Sequence, residues 1–281
     1  MIPGQGKLNK FYNNRKAKRS KESFYKFLLQ DISPNLDKPT VDITLACFSG
    51  QGETSDQMLS IYSFVKNVGV PRSWKIISDG NHIEETRKFF KRFPFVEFTE
   101  WSNEIAPEYR ELISECPTWQ VKKLFTFCSL KISSTTIFLD SDILFFPNFK
   151  TGLDSLRKYN WYMADTSAHF DEEFNPSSGY NYLNGGFLVL NQQPDVRGCI
   201  DYYMQKVKTN TVGYFTDQTA MQLMVQQNDF RFLDPRFFCL SVEDMFGLNS
   251  KIDTTPLAVR HYVGQVRFRM WEEGHKQKFF I

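Results

Sequence analysis

Residues 136–142 read Thr-Ile-Phe-Leu-Asp-Ser-Asp, so two carboxylates, Asp140 and Asp142, stand one residue apart at the end of an apolar run. The run has the length and composition of a short buried strand. If its alternation continues past Leu139, both carboxylates point the same way off the strand end. Like charges that close repel unless a cation sits between them. A hard divalent metal chelated to a diphosphate would serve. The bare tripeptide also suits a turn or a helix cap, because Asp and Ser bond to local backbone. The functional reading draws on context: a hydrophobic strand before it, an apolar run at residues 143–146 after it, and Pro147 to close that run.

Three further stretches could contribute chemistry. Asn184-Gly185-Gly186 precedes an apolar strand, and glycine there allows either close approach of the backbone or a simple bulge. Thr216-Asp217-Gln218 opens a helical pattern. Thr216 as N-cap and Asp217 near the positive end of the dipole account for the first two residues, not for the amide that follows. Near the C-terminus, His261-Tyr-Val-Gly264-Gln-Val-Arg267 sets an imidazole, a turn glycine and a guanidinium in sequence. Imidazole can ligate a metal and arginine suits a diphosphate. An isolated histidine of this kind can equally be a hydrogen-bonded structural residue.

The elements that must position these groups alternate. Strands are expected at residues 41–48, 74–78, 95–99 and 136–139, with helices at 56–68, 84–92 and 118–131 between them. This order predicts an α/β fold with a mostly parallel sheet flanked by helices. Ligands in such sheets lie outside the carboxyl ends of the strands, and the loops after Phe48, Ser78 and Leu139 would open on that edge. The second half is less regular. Strands are expected at 161–164 (ending in Asp165), 185–190 and 259–262, helices at 195–208 and 217–227, and a polar loop at 166–183 carrying Phe170, Phe174, Tyr180 and Tyr182.

A chain of 281 residues with 41% hydrophobic and 23% charged residues has the composition of a soluble globular protein. Its 28 phenylalanines can build a large core and also aromatic surfaces for a sugar or base. No run approaches the ~20 apolar residues of a membrane span, and the N-terminal stretch has no apolar core of a secretory signal. Cys47, Cys116, Cys128, Cys199 and Cys239 are odd in number and widely spaced. This predicts reduced, mostly buried thiols and a cytoplasmic setting. The net charge of +2 conceals an asymmetry. Residues 1–26 carry eight Lys or Arg against Glu22 alone, leaving 26 basic and 31 acidic residues elsewhere. A solvated, partly disordered leader is expected there, with peripheral contact to an anionic membrane surface as its other reading. Its basic residues lack the interleaved aromatics of a nucleic-acid groove, so no nucleic-acid partner is expected.

Taken together, Asp140-Ser-Asp142, Asn184-Gly-Gly186, Asp217-Gln218 and His261-x-x-Gly264-x-x-Arg267 resemble, in the same order, the motifs of the GT-A glycosyltransferases. The nearest resemblance is to the retaining glycogenin-like and lipopolysaccharide-galactosyltransferase-like family. It runs from about residue 41 to about 271. Arg267 stands where that family has lysine, and the Pro-Trp that usually follows is absent. The resemblance implies a Rossmann-like GT-A domain over residues 36–281 behind a basic arm at 1–35. Residues 36–146 would be the nucleotide-binding half and 147–281 the acceptor half. It implies Mn²⁺ or Mg²⁺ held by Asp140, Asp142 and His261 on a nucleoside-diphosphate sugar, with UDP as the expected nucleotide. Arg267 would add a positive contact to the phosphates, and Lys123 would approach the phosphates or balance the acids, although it could equally be a helix-surface lysine. Ala46, Cys47, Phe48 and Asp79 would border the base and ribose. Ser141, Asn184, Gly185, Gly186 and Gly264 would complete the donor site, and Asp217 and Gln218 would lie near the reacting carbon. The loop at 166–183 would help recognise a carbohydrate-containing acceptor. Two other classes compete. A haloacid-dehalogenase-like phosphatase also uses Asp-x-Asp, but needs a later acidic pair for which Glu243-Asp244 is a poor substitute. A non-catalytic sugar-nucleotide binder could keep the same metal site.

Overall fold

The computed structural model describes residues 5–29, 37–104, 107, 109–110, 113, 118–165, 170–171, 181–247 and 249–277. The strands are β1 Thr40–Ser49, β2 Val70–Ser78, β3 Val96–Glu100, β4 Thr136–Leu139, β5 Ile143–Phe145, β6 Asn160–Asp165, β7 Tyr182–Leu190, β8 Phe230–Phe232, β9 Phe238–Cys239 and β10 Val259–His261. Seven of them form one sheet in the order β3-β2-β1-β4-β7-β6-β8, and a second sheet runs β5-β10-β9. β1 pairs parallel with β2 and β4, and β2 with β3, whereas β7 runs antiparallel to both β4 and β6. The helices are α1 Gln5–Leu29, α2 Thr54–Asn67, α3 Glu84–Phe90, α4 Trp101–Glu104, α5 Trp119–Cys128, α6 Pro147–Leu156, α7 Arg197–Lys208, α8 Thr216–Gln227 and α9 Arg267–Lys276.

Alternation along the central strands divides the core into two layers. Ile43, Leu45 and Cys47 of β1 join Ile137 and Leu139 of β4 in the layer that contains α2. Ala46, Phe48 and Phe138 face the opposite layer with Phe125 of α5, Tyr203 of α7 and Met224 of α8. The second sheet is pinned to the first by rings. Phe145 of β5 meets Trp74 of β2 at 6.4 Å and Phe187 of β7 at 6.2 Å, and it packs on Phe64 of α2 at 4.9 Å. The four described cysteines, Cys47, Cys128, Cys199 and Cys239, are buried free thiols; Cys116 lies outside the described residues. Among the described residues, no helix is long and apolar enough to cross a membrane.

Several expectations need correction. The basic arm is not a disordered leader: residues 5–29 form α1. Its Asn13, Ala17 and Phe24 are buried on one helical face. Phe24 packs edge-on to Trp271 of α9 at 5.4 Å, and Lys21 pairs with the buried Asp56 of α2 at 2.7 Å. Asn13, Ala17 and Phe24, scattered through a highly charged stretch, leave almost no apolar periodicity to read in the sequence. Pro147 closes the apolar run but also opens α6 at its first turn, where a missing N–H costs nothing. Thr216 is not the N-cap of α8. It lies inside the first turn, and its hydroxyl accepts from Gly213 N (2.8 Å) and donates to Asp171 (3.0 Å).

Candidate functional site

β4 ends at Leu139, and the chain turns through Asp140, Ser141 and Asp142 before entering β5. The two carboxylates therefore converge through a turn and not through continued strand alternation. Asp140 is tied to the main sheet by its N–H, which donates to Gly186 O at 2.9 Å. Asp142 is tied to the small sheet. β5 and β10 run antiparallel with Ile143 opposite His261, and Tyr262 N donates to Asp142 O at 2.9 Å. The junction of the two sheets thus brings His261 to both acids across about 120 residues of sequence. His261 Nε2 lies 3.0 Å from Asp142 Oδ1 and 3.7 Å from Asp140 Oδ2. The three side chains each offer one metal-ligand atom, all within 4.8 Å of one another.

Asn184 and Gly186, at the start of β7, shape this cluster. Gly186 N donates to Asn184 Oδ1 (3.0 Å), which settles that amide oxygen as an acceptor. The same oxygen meets His261 Nδ1 at 2.9 Å, leaving Nε2 aimed at the carboxylates. Such a partner on the far ring nitrogen is the usual device for orienting a metal-binding histidine. Gly186 supplies room. A Cβ there would collide with His261 Cε1 and stand 2.8 Å from Asp140 Oδ2 and 2.9 Å from Asn184 Oδ1. Two carboxylates, an oriented imidazole and a cradle that only glycine leaves open suit a divalent ion.

The protein already supplies cations to the acidic pair. Lys123 of α5 is buried, not a surface lysine, and its Nζ lies 2.5 Å from Asp140 Oδ1. Arg267 grips Asp142 Oδ2 through Nε (2.9 Å) and Nη2 (2.7 Å). The repulsion that the sequence implies is therefore relieved by two side chains even before any ion is considered. Asp142 is fully buried, yet His261 and Arg267 hold its carboxyl far below the usual carboxylate range against the opposing effect of burial. Arg267 Nη1 also lies 3.6 Å from Glu53, whose carboxyl burial pushes up to about 7.

These groups open into a cavity of about 700 Å³. Lys123, Asp140, Asp142, Asn184, Gly185, Gly186, Asp217, Gln218, His261, Gly264 and Arg267 all line it. Asp217 is half-buried at the start of α8, and burial raises its carboxyl to about 6 although Lys123 pulls it down. Ala46, Cys47, Phe48, Asp79 and Ser141 do not line the cavity. Ala46, Cys47 and Phe48 are packed into the sheet's two faces, and Ser141 is buried in the turn. Asp79 instead accepts from Asn81 N at 3.0 Å in the loop after β2. Phe48 reaches the site only indirectly, edge-on to the cavity residue Trp119 at 5.9 Å. Of the acceptor loop expected at 166–183, residues 166–169 and 172–180 lie outside the described residues.

Three cavity features were not singled out from sequence. Asp165, at the end of β6, accepts from Gln218 Nε2 at 3.5 Å. An acid closing a short apolar strand was the available signal, the same one that marks Asp140. Trp119 and Tyr214 add aromatic walls, for which no local pattern exists. Glu243-Asp244, weighed as a second acidic pair, does not join the site. Asp244 is sunk between Arg260 (3.0 Å) and Arg269 (3.8 Å).

No protein-family model matches the chain, and no curated protein matches it. Solved structures do. A galactosyltransferase LgtC complex with donor and acceptor sugar analogues aligns over 82% of this chain and 95% of its own, at 12% identity and a TM-score of 0.52. The apo form of the glycosyltransferase GlyE from Streptococcus pneumoniae TIGR4 aligns over 85% of this chain and 64% of its own, at 11% identity and a TM-score of 0.51. The bifunctional glycosyltransferase WbbM aligns over 89% of this chain and 52% of its own, at 14% identity and a TM-score of 0.50. Together with the mostly parallel sheet flanked by helices, these likenesses assign the chain the GT-A glycosyltransferase fold.

Proposed function

We propose that the protein is a glycosyltransferase that moves a sugar from a nucleoside-diphosphate donor, with UDP as the nucleotide, to a glycan, lipid-linked or protein acceptor. Asp140, Asp142 and His261 would hold Mn²⁺ or Mg²⁺. The observation that carries this reading is the convergence of those three side chains, ligand atoms within 4.8 Å, on the cavity of a GT-A sheet. Two carboxylates and an imidazole favour Mn²⁺ slightly over Mg²⁺. A bound ion of this kind neutralises the charge that develops on a departing nucleoside diphosphate. A galactosyltransferase of the same fold binds donor and acceptor sugar analogues, which supports a cavity shared by two substrates.

The remaining roles fall to the chain itself. Asn184 keeps Nε2 of His261 turned toward the acids. Lys123, buried, and Arg267, half-buried, offer positive charge that is already oriented, which acts more strongly on an anion where water is excluded. Trp119, Tyr214 and Phe215 present flat apolar faces to sugar rings. Asp217 and Gln218 would face the reacting carbon. With retention, the departing phosphate accepts the acceptor's proton on the same face, and Asp217 and Gln218 steady positive charge on the sugar. A carboxyl near 6 also suits a general base at neutral pH, so an inverting reaction with Asp217 as base is the second reading.

Calorimetric titration of UDP tests the metal assignment. Lys123 and Arg267 are already engaged by the two acids, so a divalent ion is needed to leave net positive charge for the donor phosphates; EDTA should therefore weaken UDP at least about tenfold, and Asp142→Ala should imitate chelation. Equal affinity with and without metal would refute the assignment. NMR of the product's anomeric proton separates the two readings of the chemistry: retention is expected, and an inverted linkage would hand the base role to Asp217.

A further inference from the structure

We infer that α1 is a docking surface for an anionic lipid bilayer, a role that goes beyond glycosyl transfer and stands independently of it. One face of α1 is committed to the protein. Asn13, Ala17 and Phe24 are buried, Asn13 Nδ2 donates to Gly247 O at 2.9 Å, and Lys21 Nζ donates to Gly52 O and pairs with Asp56. The opposite face is thereby held outward. Residues 8, 11, 12, 15, 18, 19, 22 and 26 share it by their spacing of three and four, and all eight are exposed.

The chemistry of that outward face changes along the helix. Its first half presents Leu8, Phe11 and Tyr12, which are 70%, 67% and 63% exposed. Phe246, 43% exposed, stands beside them: Asn9 Nδ2 donates to its carbonyl, and Lys10 lies over its ring. The second half presents Arg15, Lys18, Arg19 and Lys26 against Glu22 alone. Large apolar and aromatic side chains clustered in water are costly to leave exposed. A helix with an apolar patch and a flanking run of cations instead suits the headgroup boundary of a bilayer, with rings inserted and cations on anionic headgroups. Phe11 and Tyr12 lie together at one end of the outward face, ahead of Arg15, Lys18, Arg19 and Lys26, and not interleaved with those cations as in a nucleic-acid groove. A nucleic acid would use the cations but has no use for Leu8. Outside residues 1–26 the chain carries an excess of acid, 31 against 26 basic residues, so α1 is the part that an anionic surface would select.

Vesicle flotation of the full chain tests the inference. Neutral phosphatidylcholine vesicles are compared with vesicles containing about one-third phosphatidylglycerol. The protein should float with the anionic vesicles only. Arg15→Glu with Arg19→Glu should abolish flotation, and Phe11→Ser with Tyr12→Ser should lower the bound fraction about tenfold. Lys150→Glu with Lys158→Glu makes the same change in net charge at exposed sites elsewhere and should float as the parent does. All four changed positions on α1 are exposed, and unchanged circular dichroism confirms folding. No flotation, equal flotation with neutral vesicles, or equal losses in the α1 and control charge variants would overturn the inference. So would full retention by the Phe11/Tyr12 variant, because charge alone would then hold the helix and the apolar patch would have no part in docking. Donor hydrolysis in solution, measured on the same preparations, reports separately on the catalytic reading.

Discussion

Gly186→Ala should disable the metal site through a single methyl group. Gly186 does not occupy the left-handed region, so the backbone tolerates alanine and the effect is steric. Ordinary non-bonded contacts lie at ~3.5–4.0 Å, so the new Cβ overlaps Asp140 Oδ2, at 2.8 Å, by roughly 0.7 Å and His261 Cε1 by more. Neither neighbour yields easily. Asp140 is held by Lys123, and the buried His261 is held at both nitrogens, by Asn184 and Asp142. Moving the ring by about an ångström breaks at least one of those hydrogen bonds. Overpacking of this kind costs about 1–3 kcal/mol, equivalent to a fall of roughly 2–5 °C in Tm for a chain of this size. Loss of the oriented imidazole should weaken Mn²⁺ by about 10–100-fold. Two nearby glycines provide internal controls. A Cβ at Gly185 meets only the flexible Met221 Sδ at 3.2 Å, and one at Gly264 meets nothing within 4 Å. Mn²⁺ calorimetry with thermal unfolding should therefore rank the damage 186, then 185, then 264. Parent-like metal affinity in Gly186→Ala would refute the convergence of Asp140 and His261 on one ion.

Two further outcomes follow from buried charge. Asp217 binds its proton up to pH about 6 in the folded state but releases it near ~4 when unfolded, so its contribution to stability is lost as pH rises through that window. Asp217→Asn should leave stability unchanged at pH 4 and raise it by on the order of 1–2 kcal/mol at pH 7, after allowance for water at the cavity mouth. Parallel stability–pH curves for parent and variant would contradict this. Asp244→Asn leaves the buried Arg260 and Arg269 without their shared carboxylate, which should cost about 3–5 kcal/mol in denaturant unfolding. A change below ~1 kcal/mol would show that this cluster is not electrostatically coupled.

Local pattern is enough to read β1, β2, β4 and the helices between them, because strand and helix periodicities differ and turn residues separate the elements. The Asp140–Asp142 pair is legible for the same reason: charge at the end of an apolar strand has no local explanation. Other features exist only after packing. Nothing near Asn184 in sequence says that its amide turns His261 toward the acids. That depends on the antiparallel insertion of β7 beside β4 and on β10 lying against β5. Sequence allows Lys123 to balance the acids but does not decide between that and a surface lysine, nor does it show Arg267 on Asp142, since the helix bearing one and the segment bearing the other are brought together by the core. Ala46, Cys47 and Phe48 show the same limit: their strand-end position suggests a ligand, and only packing reveals that their side chains enter the core layers. α1 is the extreme case. Its charged composition argues against order, and the buried Asn13, Ala17 and Phe24, with Lys21 paired to the buried Asp56, supply what composition withholds. Motif order could announce a GT-A site, whereas which groups balance, orient and crowd that site was decided where the two sheets meet.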